Sequence, residues 1–273
     1  MTTWNGWSWG KRIAGLAALL AGVGLAASGA GAQGVGPAPA QKLIDLPTAG
    51  LVPEASFEAS LRAFHGGGVV GRADVGLLSW LSLGGAYGGT QLIGDGRPDW
   101  YPEPAFALKL RLLQEDYVYP ALAIGIDTEG RGHYDTERGR YQYKSRGIYA
   151  VLSKNYSWYG DFSVHGGLNR SLEEGNAEQV NPFFGLEKSL GSAVGLALEY
   201  DVALNDRKVD GAFGKGRGYL NAALRWASAS GMQFQFTVRD MLKNSETPDP
   251  IQSDVVVDEG FGREFTLSYL ESF

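Results

Sequence analysis

The chain has no cysteine. That absence excludes a disulfide framework, a thiolate metal site, a cysteine nucleophile and a lipid-acceptor cysteine. Histidine is scarce, with 3 in 273 residues, at His65, His133 and His165, too scattered to compose a zinc site. There is no excess of positive charge. A net charge of -6 with both signs interspersed argues against nucleic acid as a partner. Beyond the N-terminus no stretch offers the eighteen or so consecutive apolar residues that a spanning helix needs. No metal and no cofactor is expected.

What is present begins with a leader. Lys11 and Arg12 precede an apolar run from Ile13 to Ala27, and Ala30-Gly31-Ala32 supplies small residues in an A-x-A arrangement. Basic flank, apolar stretch and small residues in that order predict a signal peptide over 1–32, cleaved near Ala32. The mature chain then begins near Gln33. Residues 33–55 read as an N-terminal periplasmic or plug segment, and 56–273 as the remaining domain.

That domain is a series of segments with period two. They are Ser56–Phe64, Val70–Leu77, Leu81–Tyr87, Phe106–Leu112, Pro120–Asp127, Gly147–Ser153, Asp161–Asn169, Asn181–Lys188, Val194–Asp201, Tyr219–Trp226, Met232–Arg239 and Arg263–Tyr269. Phe106, Leu108, Leu110 and Leu112 against Ala107, Lys109 and Arg111 show the pattern clearly. Only Asn181–Lys188 is irregular, because Phe183 and Phe184 are adjacent. Gly stands at 40 and aromatics at 12 %, as befits an all-β chain with many turns.

Alternation alone fits a soluble sandwich as well as a membrane barrel. Three features choose the barrel. Long polar connections near 88–104, 128–146, 170–180, 205–218 and 240–262 alternate with short ones, and only His65-Gly66-Gly67-Gly68 breaks the order. Bacterial barrels place short turns in the periplasm and long loops outside. Tyr87, Tyr119, Tyr149, Tyr200, Tyr219, Trp226 and Tyr269 fall near strand ends, and Tyr156, Trp158 and Tyr159 crowd one turn, where a lipid–water boundary favours amphipathic rings. Finally, Phe265, Leu267, Tyr269 and Phe273 keep alternate register back from a terminal Phe, similar to the terminal-strand signal read by the barrel-assembly machinery. The expectation is an all-β, closed, antiparallel transmembrane barrel of about twelve strands in the outer membrane, with lipid as its surroundings.

If apolar positions face lipid, the opposite face lines the lumen. Glu58, Arg62, Arg72, Asp74, Lys109, Arg111, Glu199, Asp201, Arg225 and Arg239 lie there. The signs nearly balance, so an ion-pair network is expected, with Glu58 and Arg62 beside Arg72 and Asp74. Twelve strands lie between a side-chain-filled barrel of eight and an open porin, so the lumen reads as narrow or plugged.

Chemistry is sought without success. His165 shares a face with Asp161 and Ser163, but consecutive same-face neighbours do not set a base between nucleophile and acid. The acidic turns at Gly94-Asp95-Gly96 and 127–135 lack calcium-loop spacing, and Gly66-Gly67-Gly68 lacks the Lys-Ser/Thr of a phosphate loop. No catalytic residue is assigned.

Gly50-Leu51-Val52-Pro53-Glu54-Ala55, Tyr101-Pro102-Glu103-Pro104-Ala105-Phe106-Ala107-Leu108-Lys109-Leu110-Arg111 and Pro120-Ala121-Leu122-Ala123-Ile124-Gly125-Ile126-Asp127 resemble YjbH-type outer-membrane proteins. The resemblance covers roughly residues 49–155, and Lys144–Tyr149 with Ser153–Tyr156 are similar to other barrels of this type. It implies a non-enzymatic role in exopolysaccharide export or envelope organisation, with polysaccharide or export proteins as partners. A narrow solute channel and a barrel-embedded hydrolase stay open as alternatives.

Overall fold

The computed structural model describes residues 40–173, 179–207, 213–228, 230–248, 256–258 and 261–273. The expected signal peptide, and residues 33–39 of the segment that follows it, lie outside these. Among the described residues twelve strands close the barrel, and a two-residue strand, Asp99–Trp100, extends the same sheet by pairing with Gly89 and Thr90. The twelve are β1 (Ser56–Phe64), β2 (Gly68–Leu78), β3 (Leu81–Thr90), β4 (Ala105–Leu113), β5 (Ala121–Asp127) and β6 (Gly147–Ser157). Then come β7 (Asp161–Arg170), β8 (Asn181–Ser189), β9 (Val194–Asp201), β10 (Tyr219–Ala227), β11 (Met232–Arg239) and β12 (Gly262–Ser272).

Each strand pairs antiparallel with the next, and β1 pairs with β12 from Ser56↔Ser272 to Ala63↔Phe265. The sheet therefore closes on itself and keeps no free edge, which is how a barrel satisfies every backbone group in a medium without water. These are the twelve segments that period-two patterning marks. Among the described residues no helix is long and apolar enough to cross a membrane.

The burial pattern inverts that of a soluble barrel. Leu61, Phe106, Leu152, Leu198, Leu224 and Phe236 are exposed on the outer face, while Asp74, Lys109, Glu199, Arg225 and Arg239 are buried inside. An apolar exterior around a polar interior is stable only if lipid covers the outside. Leu198, midway along β9, gives a direct check. Leu198→Arg should cost about 2–4 kcal/mol, the penalty for a cation near the bilayer midplane. Urea unfolding in liposomes reads the difference, and a neutral result would place that face outside the hydrocarbon.

Aromatic rings mark both ends of this belt. Tyr117, Tyr119, Trp158 and Tyr159 are exposed at the end with the short connections. Trp158 N–H donates to the Gly160 carbonyl across a tight turn whose Tyr159 has φ 46°. At the other end Tyr87 stacks on Trp100, with centroids 5.7 Å apart and planes at 6°. Two aromatics depart from the expected girdle. Tyr149 and Tyr219 share the inward phase of Val151 and Asn221, so both rings are buried in the lumen. Strand parity overrides nearness to a strand end.

The long connections carry structure of their own. A hairpin of Arg131–Asp135 with Arg140–Tyr143 and a 3-10 turn at Leu204–Asp206 sit at the outer end. Glu246–Pro248 pairs with Val256–Asp258 in the last loop.

Candidate functional site within the lumen

Residues 40–55 run inside the barrel. Residues 41–48 form a narrow loop, with Thr48 N–H donating to the Gln41 carbonyl at 3.1 Å and Leu43 N–H to the Leu46 carbonyl at 2.9 Å. Leu43, Ile44 and Leu46 are each 1 % exposed. Leu43 and Ile44 pack on Ala197 and Ala223, and Leu46 and Ala49 pack with Ala121, Ala123, Tyr149, Val151 and Phe183. The wall has given up side chains where this loop passes. A Cβ on Gly185 would lie 2.0 Å from Leu43 Cδ1, and one on Gly76 2.0 Å from the Pro53 carbonyl oxygen.

Polar groups of the wall grip the loop's backbone. One oxygen of Glu199, on β9, accepts the N–H groups of Ile44, Asp45 and Leu46 at 3.1, 2.9 and 2.9 Å. Three successive amides converging on one carboxylate oxygen make an anion nest, here turned toward the protein itself. Lys109, on β4, donates to the carbonyls of Gln41, Thr48 and Gly50 at 2.6, 3.1 and 3.0 Å. Arg225, on β10, donates to the Lys42 carbonyl at 2.9 Å and to that of Leu43, while its other nitrogens reach Gln235 and Glu187 at 2.7 Å each. Ser153 accepts Ala49 N–H at 2.8 Å.

At the tip of the loop, Asp45 is enclosed by guanidinium groups. Arg62 Nη1 and Arg131 Nε lie 2.8 and 2.7 Å from Oδ1, and Arg239 Nη1 binds Oδ2. Arg239 also holds Glu264 through two nitrogens, at 2.6 and 3.0 Å. A second cluster lies alongside. Arg72 grips Asp74 bidentately at 2.7 Å and reaches Glu129 at 2.6 Å, and Lys42 lies 2.6 Å from Asp127. Arg131 Nη1, 2.7 Å from Glu129 Oε1, joins the two clusters.

Of the ten charged residues singled out on the inward face, Arg62, Lys109, Glu199, Arg225 and Arg239 touch residues 41–50 directly, and Glu58 accepts from Gln41 Nε2 at 3.1 Å. Arg72 and Asp74 belong to the second cluster. Asp201 stands apart with Arg146 and Asn181, and Arg111 donates to the Ser79 carbonyl at 2.6 Å at the short-turn end. The expected ion pairing between β1 and β2 does not form. In register, Glu58 faces Asp74 and Arg62 faces Val70, so Arg62 turns to Asp45 and Arg72 to Asp74 on its own strand. Sequence reasoning missed Asp45, Glu129, Arg131, Arg140 and Asp206, all outside the twelve barrel strands. A single charge in Leu43-Ile44-Asp45-Leu46 was the only local signal for the first.

The outer hairpin folds over the mouth. Arg140, 1 % exposed, binds Asp206 Oδ1 at 2.6 Å and the Tyr141 and Gln142 carbonyls, and stacks on Phe213 at 4.7 Å. Asp206 also accepts from Tyr219 Oη at 2.7 Å. Glu173 accepts Ser145 N–H at 2.6 Å and Tyr141 N–H at 2.9 Å. Burial raises its carboxyl pKa, and the two amides with Arg140 only partly counter that. A carboxyl raised in the folded state favours folding in acid, and that contribution is lost as pH rises through the folded value. Exchange of the Tyr141 and Ser145 amides, corrected for intrinsic rate, should therefore be slower at mildly acidic than at neutral pH. Glu173→Gln should abolish the difference.

His165 is buried, with Nδ1 2.8 Å from Ser153 Oγ. Asp161 and Ser163 do not join it, so the expected neighbours make no catalytic array. The group at the outer rim is different: His133 Nδ1 lies 3.1 Å from Asp99, and both are exposed.

A closed antiparallel barrel, apolar outside and charged inside with its own N-terminal segment threaded through, is a β-barrel of the outer-membrane class. The chain belongs to the YjbH family, described as exopolysaccharide biosynthesis protein YbjH, whose model matches residues 41–201. Among solved structures it is similar to one titled "KdgM porin", at 11 % identity and a TM-score of 0.46, over 80 % of this chain and 99 % of that one. No curated protein matches the chain in sequence.

Proposed function

We propose that the protein is a non-enzymatic outer-membrane barrel, closed by its own N-terminal segment, that serves exopolysaccharide export or the organisation of the cell envelope. One observation carries the reading. The centre of the lumen is filled by residues 41–50, held on both backbone donors and acceptors by Glu199 and Lys109. Among the described residues the seated segment occupies the space that a polymer would need, so passage requires that segment to move. Family membership supplies the polysaccharide setting.

The leader over 1–32, cleaved near Ala32, delivers the chain to the periplasm in this reading. Phe265, Leu267, Tyr269 and Phe273 then present the terminal strand to the barrel-assembly machinery, and envelope export proteins are the partners sought. His165 lies beneath the N-terminal segment, which favours a packing role over hydrolysis. Lipid or polysaccharide hydrolysis lost in His165→Ala would reverse that assignment.

The test combines topology with conductance. Unboiled protein should migrate differently from boiled protein, and trypsin applied to intact cells should cut after the exposed Arg138. In planar bilayers the full chain should stay closed. A large, steady conductance would replace this reading with a solute channel. Loss of surface polysaccharide on removing the protein, with other outer-membrane proteins unchanged, is the positive sign.

A further inference from the structure

We propose that Arg62, Arg131 and Arg239 form a carboxylate-receptor site at the outer end of the lumen, filled internally by Asp45 and matched to the carboxylate of an acidic sugar chain. The three guanidinium groups come from β1, the outer hairpin and β11, and all are buried. Two share one oxygen of Asp45 and the third takes the other. Each guanidinium meets Asp45 through a single nitrogen, so three charge-assisted hydrogen bonds from three separate elements enclose one carboxylate.

The wall alone does not neutralise them. Glu264 is committed to Arg239 and lies 3.5 Å from Arg62. Glu129 is shared among Arg131, Arg72 and Lys42. Arg131 Nη1 is itself engaged by Glu129 at 2.7 Å, so its Nε is the nitrogen that meets Asp45. Without Asp45 the triad is a buried positive site that requires an anion.

Its position points outward. Arg131 opens the hairpin whose His133 is exposed, and Asp45 is the tip of a loop that enters from the short-turn end. A ligand bearing a carboxylate would reach the same three buried groups from the opposite side once the hairpin over the mouth has moved aside. Displacement of the loop tip and capture of the ligand are then one exchange. The inference rests on the closed-barrel reading for the position of the loop. Conductance tests that reading, whereas chemical rescue tests the site.

The experiment is rescue of Asp45→Ala. The midpoint of the gel-mobility transition on heating should fall by about 10 °C. Sodium glucuronate and sodium acetate should each recover at least about half of that loss, because either supplies the missing carboxylate. Glucose and an equal ionic strength of sodium chloride should recover none, and the wild type should not respond to any of the four. Adding Arg131→Ala to the variant should remove the rescue. If Asp45→Ala does not assemble, Asp45→Asn, which keeps the side-chain shape, is carried through the same series. No recovery by any carboxylate, or equal recovery by chloride, overturns the site. Recovery by acetate but not by glucuronate overturns the sugar assignment.

Discussion

Deleting residues 41–50 should turn a closed barrel into a conducting one, raising single-channel conductance in planar bilayers by at least about tenfold over the intact chain. The barrel does not depend on these residues for its backbone pairing, since every strand bonds to two neighbours and β1 closes on β12. What the deletion removes is the material that fills the lumen. Leu43, Ile44 and Leu46 leave an apolar floor of alanines and Gly185, and Glu199 and Lys109 lose backbone partners they can exchange for water. A subtler variant asks the same question with the chain complete. Gly185→Trp places bulk where even a Cβ would meet Leu43 at 2.0 Å, so the loop must move while the strand ladder stays. Each of the three apolar side chains stabilises the seated loop by about 1.5–3 kcal/mol when fully buried. The displaced state should therefore be a minority in the wild type and dominant in the variant. A deleted chain that assembles and still carries no current would show that the outer hairpin closes the mouth by itself.

The second large effect is expected at Arg140. Arg140→Met should destabilise the outer cap by about 2–4 kcal/mol, because Asp206 loses the guanidinium 2.6 Å away and keeps, among cations, only the more distant attraction of Lys144. Methionine preserves much of the volume over Phe213, so the loss is mainly electrostatic. Asp206 keeps Tyr219 Oη and Phe213 N–H, which lessens the damage but does not replace a charge. The measurement is the rate of tryptic cleavage after Arg138 on folded protein in micelles, together with the heating midpoint. Faster cleavage with an unchanged midpoint locates the effect in the cap, and an unchanged rate would deny Arg140 its part in holding the hairpin.

The barrel was legible because lipid imposes a rule at every second residue. Leu196, Leu198 and Tyr200 alternate with Ala197, Glu199 and Asp201 on one strand, and no tertiary detail is needed to read the faces. Even the irregular Phe183 and Phe184 obey it: Phe183 lies inward over Gly167 and Phe184 outward into the belt. The inward position of Glu199 was legible for the same reason, but its partners were not. Asp45 N–H lies 154 positions away in the chain, and nothing local relates the two. Arg62 illustrates the limit further. Its neighbouring strand offers Arg72 and Asp74, yet cross-strand register sets Arg62 opposite Val70, and the nearest free carboxylate belongs to the N-terminal loop. Parity assigns a face; only the folded volume assigns a partner. Tyr149 and Tyr219 show the same difference, because their distance along the strand suggested lipid while their phase determined the lumen.

The staple at Ala55 bears on the order in which the molecule can be made. Ala55 N–H donates to the Gly76 carbonyl at 2.9 Å, and its own carbonyl accepts Phe273 N–H at 2.9 Å. The residue that ends the internal segment is thus tied to the last residue of the chain, beside the seam between β1 and β12. A ring sealed first would have to admit a peptide carrying Asp45 past charged walls. A ring sealed last can gather its strands around a peptide already in place, giving each buried guanidinium its carboxylate before water is shut out. Residues 40–55 would then serve the remainder of the chain as a mandrel, and slow closure in chains lacking them would be the kinetic trace of that service.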